Sequence, residues 1–386
     1  MKAIQPAQRL ENVSEYYFSK KLKEVADLNA AGKNIISLGI GSPDLPPSTA
    51  TIETLTLDAS RPDAHGYCTN GIPGLYNGFA DWYKRWFDVE LDPKTEILPL
   101  IGSKEGIMHI SMAFLNPGNG VLVPNPGYPT YTSVSNLVQA SIVTYDLDAA
   151  NGWHPDFEAL EKMDLSNVKL MWVNYPNMPT GGRATKSLFE KLVAFGKKHQ
   201  IVICNDNPYS FILSTDYLSI LSVPGAKDIC IELNSMSKSH NMPGWRIGML
   251  ATNKTFKEWI LKVKSNVDSG QFRPMLKAAA MALKAGPEWY AGMNEVYARR
   301  RVIAEAILET LGCTWDPNQS GMFLWGRIPD KYADAGQVAD MVLYKANVFI
   351  TPGFIFGSNG NRYIRLSLCC TEQNLSEALQ RIKTTI

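Results

Sequence analysis

The sequence predicts an α/β protein, a largely parallel sheet with helices on both faces, followed by a smaller α+β unit. Two observations carry this. Short apolar runs bounded by Pro, Gly, Asn or Asp alternate with segments of helical periodicity, and after about residue 281 the alternation gives way to one long helical pattern and shorter mixed elements. The runs Val121-Leu122-Val123, Leu170-Met171-Trp172-Val173, Ile201-Val202-Ile203-Cys204, Ile229-Cys230-Ile231-Glu232-Leu233 and Ile247-Gly248-Met249-Leu250 read as buried strands. Residues 187–199, between two of them, have the spacing of an amphipathic helix. Sheets of this kind bind ligands beyond the carboxyl ends of their strands, so the polar residues that follow each run are the candidates for a site.

The flanking elements follow from the same patterns. A helical pattern over 17–29 precedes the extended Asn34-Ile35-Ile36-Ser37-Leu38. This arm, through residue 47, is expected to pack with the C-terminal unit. The boundaries expected are therefore 1–47 for the arm, 48–280 for the large domain and 281–386 for the small one. The small domain opens on the long helix holding Arg299-Arg300-Arg301 and ends in the strand Tyr363-Ile364-Arg365-Leu366-Ser367-Leu368 and a terminal helix.

Composition narrows the function classes. Of 386 residues 45% are hydrophobic and 19% charged, the profile of a globular chain. Lys plus Arg total 38 against 37 Asp plus Glu, a balance that offers nucleic acid no attractive field. Residues 1–13 lack the basic and then apolar run of a signal peptide, and no apolar stretch approaches a membrane span. The six cysteines form no C-x-x-C pair and the five histidines are dispersed, so reduced thiols in a cytoplasmic protein are expected, with no metal site and no membrane partner.

One segment points to chemistry. In Ser235-Met236-Ser237-Lys238 followed by Arg246, a lysine stands among hydroxyls and an arginine. A lysine that loses its proton traps carbonyls, and hydroxyls with a guanidinium fork clamp phosphate. A carbonyl and a phosphate on one ligand suggest pyridoxal 5'-phosphate (PLP). Gly102-Ser103-Lys104-Glu105-Gly106 opens a helical pattern and offers an anion seat of backbone N–H groups and a hydroxyl. Tyr128 follows the run at 121–123, where its ring could stack on a planar heterocycle. Asp206 follows the run at 201–204 and could pair with a pyridinium nitrogen; Tyr209, three residues on, could reach a phenolic oxygen of the same ring. Each motif alone is equally the mark of a cap or turn. Their co-occurrence in this order gives them weight.

With these residues in view, the chain resembles the class I/II, fold-type I PLP-dependent aminotransferases over about residues 39–367. The resemblance implies a mostly parallel seven-stranded sheet in the large domain. It gives Lys238 the Schiff base, Ser235, Ser237, Arg246, Ser103 and Lys104 the phosphate side, Tyr128 the ring stack, Asp206 the ring nitrogen and Tyr209 the ring oxygen O3'. Tyr67, in Tyr67-Cys68-Thr69-Asn70-Gly71, resembles a tyrosine given to the neighbouring subunit's phosphate, which implies a homodimer with shared active sites. Gly41 and Arg365 match positions that hold the substrate α-carboxylate, a task that suits a planar guanidinium.

Within the superfamily, Leu38-Gly39-Ile40-Gly41-Ser42-Pro43-Asp44 and Met242-Pro243-Gly244-Trp245-Arg246 are similar to the LL-diaminopimelate aminotransferase-like group, which places a substrate-side tyrosine at Tyr16. The implied reaction moves an amino group from an L-amino acid to a 2-oxo acid such as 2-oxoglutarate; the donor candidates are LL-diaminopimelate, aspartate, alanine and methionine-type amino acids. The alternative with the same cofactor set is a C–S lyase of the cystathionine β-lyase type. There is one departure: where the family has Asn-Pro-Thr-Gly, this chain has Met178-Pro179-Thr180-Gly181. Methionine cannot donate to O3'. Either Tyr209 makes that contact alone, or Asn174 or Asn177 compensates.

Overall fold

The structure, a computed structural model, describes residues 4–11, 13, 17–69 and 71–386. Its strands are β1 (Ile36–Ser37), β2 (Ile97–Leu100), β3 (Gly120–Asn125), β4 (Ser141–Asp146), β5 (Val168–Val173), β6 (Val202–Asp206), β7 (Cys230–Ser235), β8 (Gly248–Ala251), β9 (Phe323–Arg327), β10 (Val348–Phe349), β11 (Thr351–Pro352) and β12 (Tyr363–Ser367). Seven of them form the main sheet, in the order β2-β8-β7-β6-β5-β3-β4. The pairs from β4 through β3, β5 and β6 to β7 are parallel, as the continuous apolar runs predict. β8 is antiparallel to β7, and β2 to β8. The link from Ser235 to Gly248 holds only a four-residue helix, Met236–Ser239, and a single 3-10 turn, so it reverses the chain without a crossover.

Alternation along the inner strands divides the core in two. Leu122, Met171, Val173 and Ile203 enter one apolar cluster, while Val121, Val123, Leu170, Trp172, Val202 and Cys204 enter the cluster on the opposite face. Glu232, fully buried in the middle of β7, is tolerated because Tyr83 Oη, Ser219 Oγ, Asn205 Nδ2 and Ile220 N all donate to its carboxylate. Burial raises its pKa all the same.

The remaining strands make a three-stranded antiparallel sheet, β11-β12-β9, and a parallel pair, β1 with β10. The N-terminal arm is thus hydrogen-bonded to the C-terminal part of the chain, with Leu38 N donating to Phe349 O and Ser367 N donating to Leu38 O, each at 2.7 Å. The long helix Pro287–Thr310 braces this contact. Its buried Arg300 binds Asp44 through both Nη atoms, at 2.6 and 2.7 Å, and Leu368 O at 3.0 Å. No helix among the described residues is long and apolar enough to cross a membrane.

Candidate active site

The carboxyl ends of β6 and β7, the start of the helix Ser103–Phe114 and strand β12 converge on a cavity of about 450 Å³. Gly41, Ser103, Lys104, Tyr128, Asp206, Tyr209, Ser235, Ser237, Lys238, Arg246 and Arg365 all line it, joined by Asn174 and Met178. Two expected residues are not among them. Tyr67 is 91% exposed in the single chain and stands away from the cavity. Tyr16 lies outside the described residues.

At one end the polar groups form an anion seat. Ser235 caps the helix Met236–Ser239, its Oγ accepting from Ser237 N at 3.2 Å and donating to Ser237 Oγ at 3.0 Å. Arg246 sits in the left-handed region at φ 56° and donates from Nη1 to Pro243 O at 3.0 Å. Its guanidinium passes so close to Gly102 that a Cβ there would lie 2.2 Å from Nη2. Gly102 also has φ 78°, so both the torsion and the approach require glycine. Burial and the charge of Arg246 lower the pKa of Lys104.

Asp206 ends β6 and is 5% exposed. One carboxylate oxygen accepts from Tyr131 Oη at 3.1 Å; the other, Oδ1, is buried without a partner. Burial pushes the carboxyl up to about 7. A carboxylate desolvated in this way needs a cationic N–H to stay ionised. Tyr131, fully buried and stacked on Trp172 at 5.1 Å, escaped sequence reasoning although it belongs to the same Asn125-to-Tyr131 segment as Tyr128. Tyr128 lies edge-on to it at 5.6 Å.

Lys238 reaches across the cavity to donate to Gly41 O. Burial lowers its pKa, and Arg365 and Arg246 lower it further by repulsion, so less free energy is needed to produce the neutral amine. Gly41 is close-packed as well: a Cβ would lie 2.2 Å from Phe323 Cζ.

Arg365, on β12, is 4% exposed and donates from Nη2 to Gly39 O at 2.7 Å. Its Cζ lies 3.9 Å from the Phe323 ring centroid and 4.7 Å from that of Phe356. These rings hold the guanidinium plane in place. Met178 is oriented toward it, with Sδ 3.2 Å from Nη1. Of the two candidate amides, Asn174 lines the cavity and Asn177 does not. Asn174 Nδ2 donates to Asp206 O and its Oδ1 accepts from Met178 N, while Asn177 bonds Asn174 O and Thr180.

The residues present fit PLP: the unpartnered Asp206 Oδ1 faces the same cavity as an anion seat and a lysine with a lowered pKa. Fold and site together define a PLP-dependent transferase. Residues 33–382 match the model of the family Aminotransferase class I and II, and the chain belongs to that family. It is 38% identical over 386 residues to an LL-diaminopimelate aminotransferase of Moorella thermoacetica, covering 99% of each chain. Among solved structures it resembles substrate-bound BacF from Bacillus subtillis, with TM-score 0.93 and 33% identity over 99% of this chain and 98% of that one. It also resembles an aromatic aminotransferase from Pyrococcus horikoshii, with TM-score 0.86 and 28% identity over 94% and 98%. The protein is accordingly a PLP-dependent amino acid aminotransferase acting on amino acid and 2-oxo acid substrates, and the lyase alternative is not favoured.

Proposed function

We propose that this chain works as a cytoplasmic homodimer that passes the amino group of an L-amino acid to 2-oxoglutarate, with Lys238 as the residue that moves the protons. The observation that carries this is the pairing, in one cavity, of a half-buried lysine with a lowered pKa and a buried carboxyl whose second oxygen has no partner. Bound PLP supplies a ring that withdraws electrons from the substrate Cα. Asp206, whose Oδ1 has no partner, would hold the ring nitrogen protonated and be kept ionised by that charge. Ser103, Ser235, Ser237 and Arg246 would hold the phosphate, Tyr128 would support the ring and Tyr209 would serve its oxygen. Arg365, beside Gly41, orients the α-carboxylate so that Lys238 Nζ can remove the Cα proton and later return it to the neighbouring carbon. A panel of amino donors, scored by bleaching of the cofactor band, tests the reaction: each productive donor should yield one stoichiometric 2-oxo acid without acceptor. Continuous release of pyruvate and ammonia would instead indicate a lyase.

The dimer rests on Tyr67, an aromatic side chain almost fully exposed in one chain and matched to a position that serves the partner's phosphate. A hydrogen bond to a charged group is worth about 1.5–3 kcal/mol. Tyr67→Phe should therefore raise the PLP dissociation constant about tenfold or more while leaving the melting temperature of the apoprotein in place. An active monomer in sedimentation at assay concentration would contradict the shared site. We also infer that the arm 1–47 and residues 281–386 form one domain and 48–280 the other, consistent with the β1–β10 pairing.

Met178 gives a separate test. Met178 lines the cavity, so an amide at 178 would add a donor on that wall beside whatever Tyr209 or the second N–H of Asn174 supplies to the ring oxygen. In reconstituted Met178→Asn the pH midpoint of the cofactor's visible absorbance should fall by about 0.4–1 unit, the equivalent of one neutral hydrogen bond. An unchanged or raised midpoint would mean that another residue, Tyr209 or Asn174, already satisfies that oxygen, or that residue 178 faces away from it.

A further inference from the structure

Lys238 stands on a helix of only four residues, Met236–Ser239, too short to hold its backbone by its own hydrogen bonds. Groups outside the cavity lining fix it instead. Trp289 Nε1 donates to Ser239 O at 3.0 Å. Ser239, His240 and Tyr290 are each at most 2% exposed, and one run of hydrogen bonds joins them: Ser239 Oγ with His240 Nδ1 at 2.8 Å, His240 Nε2 with Tyr290 Oη at 3.2 Å, and Trp82 Nε1 with Tyr290 Oη at 2.9 Å. The donors set its direction. An indole N–H only donates, so Tyr290 Oη accepts from Trp82 and, with His240 its other hydrogen-bond partner among the described residues, gives its proton to Nε2. The imidazole proton is then on Nδ1, which donates to Ser239 Oγ, and that hydroxyl donates to Ser235 O at 3.5 Å. Every proton in the run has an acceptor. Burial lowers the pKa of His240 to about 3, which keeps the ring neutral.

Trp289 and Tyr290 open the helix Pro287–Thr310, and Arg300, about 15 Å further along its axis, grips Asp44. Asp44 closes the stretch whose Gly39 and Gly41 carbonyls accept from Arg365 and Lys238. One helix is therefore bonded both to the turn that carries Lys238 and to the segment that meets Lys238 Nζ and Arg365. We propose that His240 is a positioning residue for Lys238: as the Nδ1–H tautomer it ties the turn Ser235–His240 to Tyr290 and Trp82 and so holds the lysine in register with the carboxylate site on Arg365. This rests on the reading of Lys238 as the residue that moves the protons. Apolar side chains could fill the same space, but apolar packing tolerates several arrangements where a fully satisfied hydrogen-bond run specifies one. A displacement of about 1 Å can cost about a hundredfold in rate, so a loosened turn is expected to slow proton transfer while carboxylate binding at Arg365 stays as it was.

Tyr290→Phe tests this with the smallest change, because it deletes one atom and keeps the ring stacked on Phe211 at 4.3 Å. In single turnover of the holoenzyme with the fastest donor of the panel above, the limiting rate should fall about tenfold or more, and the half-saturating donor concentration should change less than about threefold. A smaller loss of rate, or a larger change in half-saturation, overturns the proposal. The double variant Tyr290→Phe with His240→Phe should be no slower than the slower single variant, since the run is already broken; losses that multiply also overturn it. Nitrogen-15 NMR of histidine-labelled apoprotein supplies a readout without cofactor or turnover. Among the five histidines, His240 is the one whose Nε2 resonance moves in Tyr290→Phe. Its ring should be neutral and protonated at Nδ1 between about pH 5.5 and 8.5. An Nε2–H tautomer, or a ring that titrates in that range, overturns the assignment. If no donor yields a 2-oxo acid, the aminotransferase reading itself fails, while the tautomer still judges the hydrogen-bond run.

Discussion

Lys238→Ala is expected to lower transamination by at least about 10⁴-fold while the variant still folds and retains PLP noncovalently. The loss is large because one side chain does two jobs: it anchors the cofactor as a nucleophile and moves the proton, and general acid–base catalysis alone contributes about 10²–10⁴. Nothing else among the described lining residues can take over. Lys104, the other lysine there, lies beside Arg246 at the anion seat. Steady-state assays check the magnitude. Borohydride reduction of the wild-type holoenzyme and peptide mapping check the site, and a pyridoxyl label on any other lysine refutes it.

The second large effect belongs to Asp206. Asp206→Asn should slow single-turnover proton abstraction at least about a hundredfold, because an amide cannot hold the ring nitrogen protonated. Equal rates in variant and wild type would remove Asp206 from the mechanism. A stability effect accompanies this in the cofactor-free protein. Burial raises the carboxyl from 3.8 to about 7, so between those values the unfolded chain has released its proton and the native state has kept it. The unfolded state then binds fewer protons, and stability falls as pH rises through that window, levelling off above about 7. A gap of about three pH units at 1.36 kcal/mol each amounts to about 4 kcal/mol. Denaturation of the apoprotein at pH 5 and pH 8 should show a steeper decline for wild type than for Asp206→Asn, and PLP should abolish the difference by giving the carboxylate its cation. Parallel pH profiles for the two apoproteins would show that Asp206 is not desolvated as described.

What was legible in the sequence follows from burial. β3, β5, β6 and β7 are covered on both faces and so appear as unbroken apolar runs. β4 is an edge strand with only Tyr145 buried, and its Ser141-Ile142-Val143-Thr144 carries no such signal. β2 is the opposite edge and contains Pro99, which argues against a strand anywhere but an edge. In the site, Ser235, Lys238 and Arg246 could be read because they are close in sequence and chemically distinctive. Tyr131 could not, since its bond to Asp206 depends on how the helix after β3 packs beside the end of β6, across 75 residues of chain. The rings around Arg365 were equally hidden: Phe323 and Phe356 look like any core phenylalanine until β9 and β12 pair. Asn174 and Asn177 remained alternatives in the sequence because only the folded loop reveals that Asn174 lines the cavity while Asn177 turns back on Asn174 O and Thr180.

The placement of Phe18 and Leu22 on the helix Tyr17–Ala30 has a consequence for how such an enzyme can change over generations. The groups that perform the chemistry are fastened to the ends of β6 and β7 in the middle of the main sheet, where almost any replacement disturbs two cores at once. Phe18 and Leu22, which line the cavity, ride on a peripheral helix with a single buried side chain, Val25. Replacements there disturb little of either core, so the lining that this helix contributes can change while the groups on the sheet stay in place. Relatives that share the catalytic sheet are therefore expected to diverge first along residues 17–30.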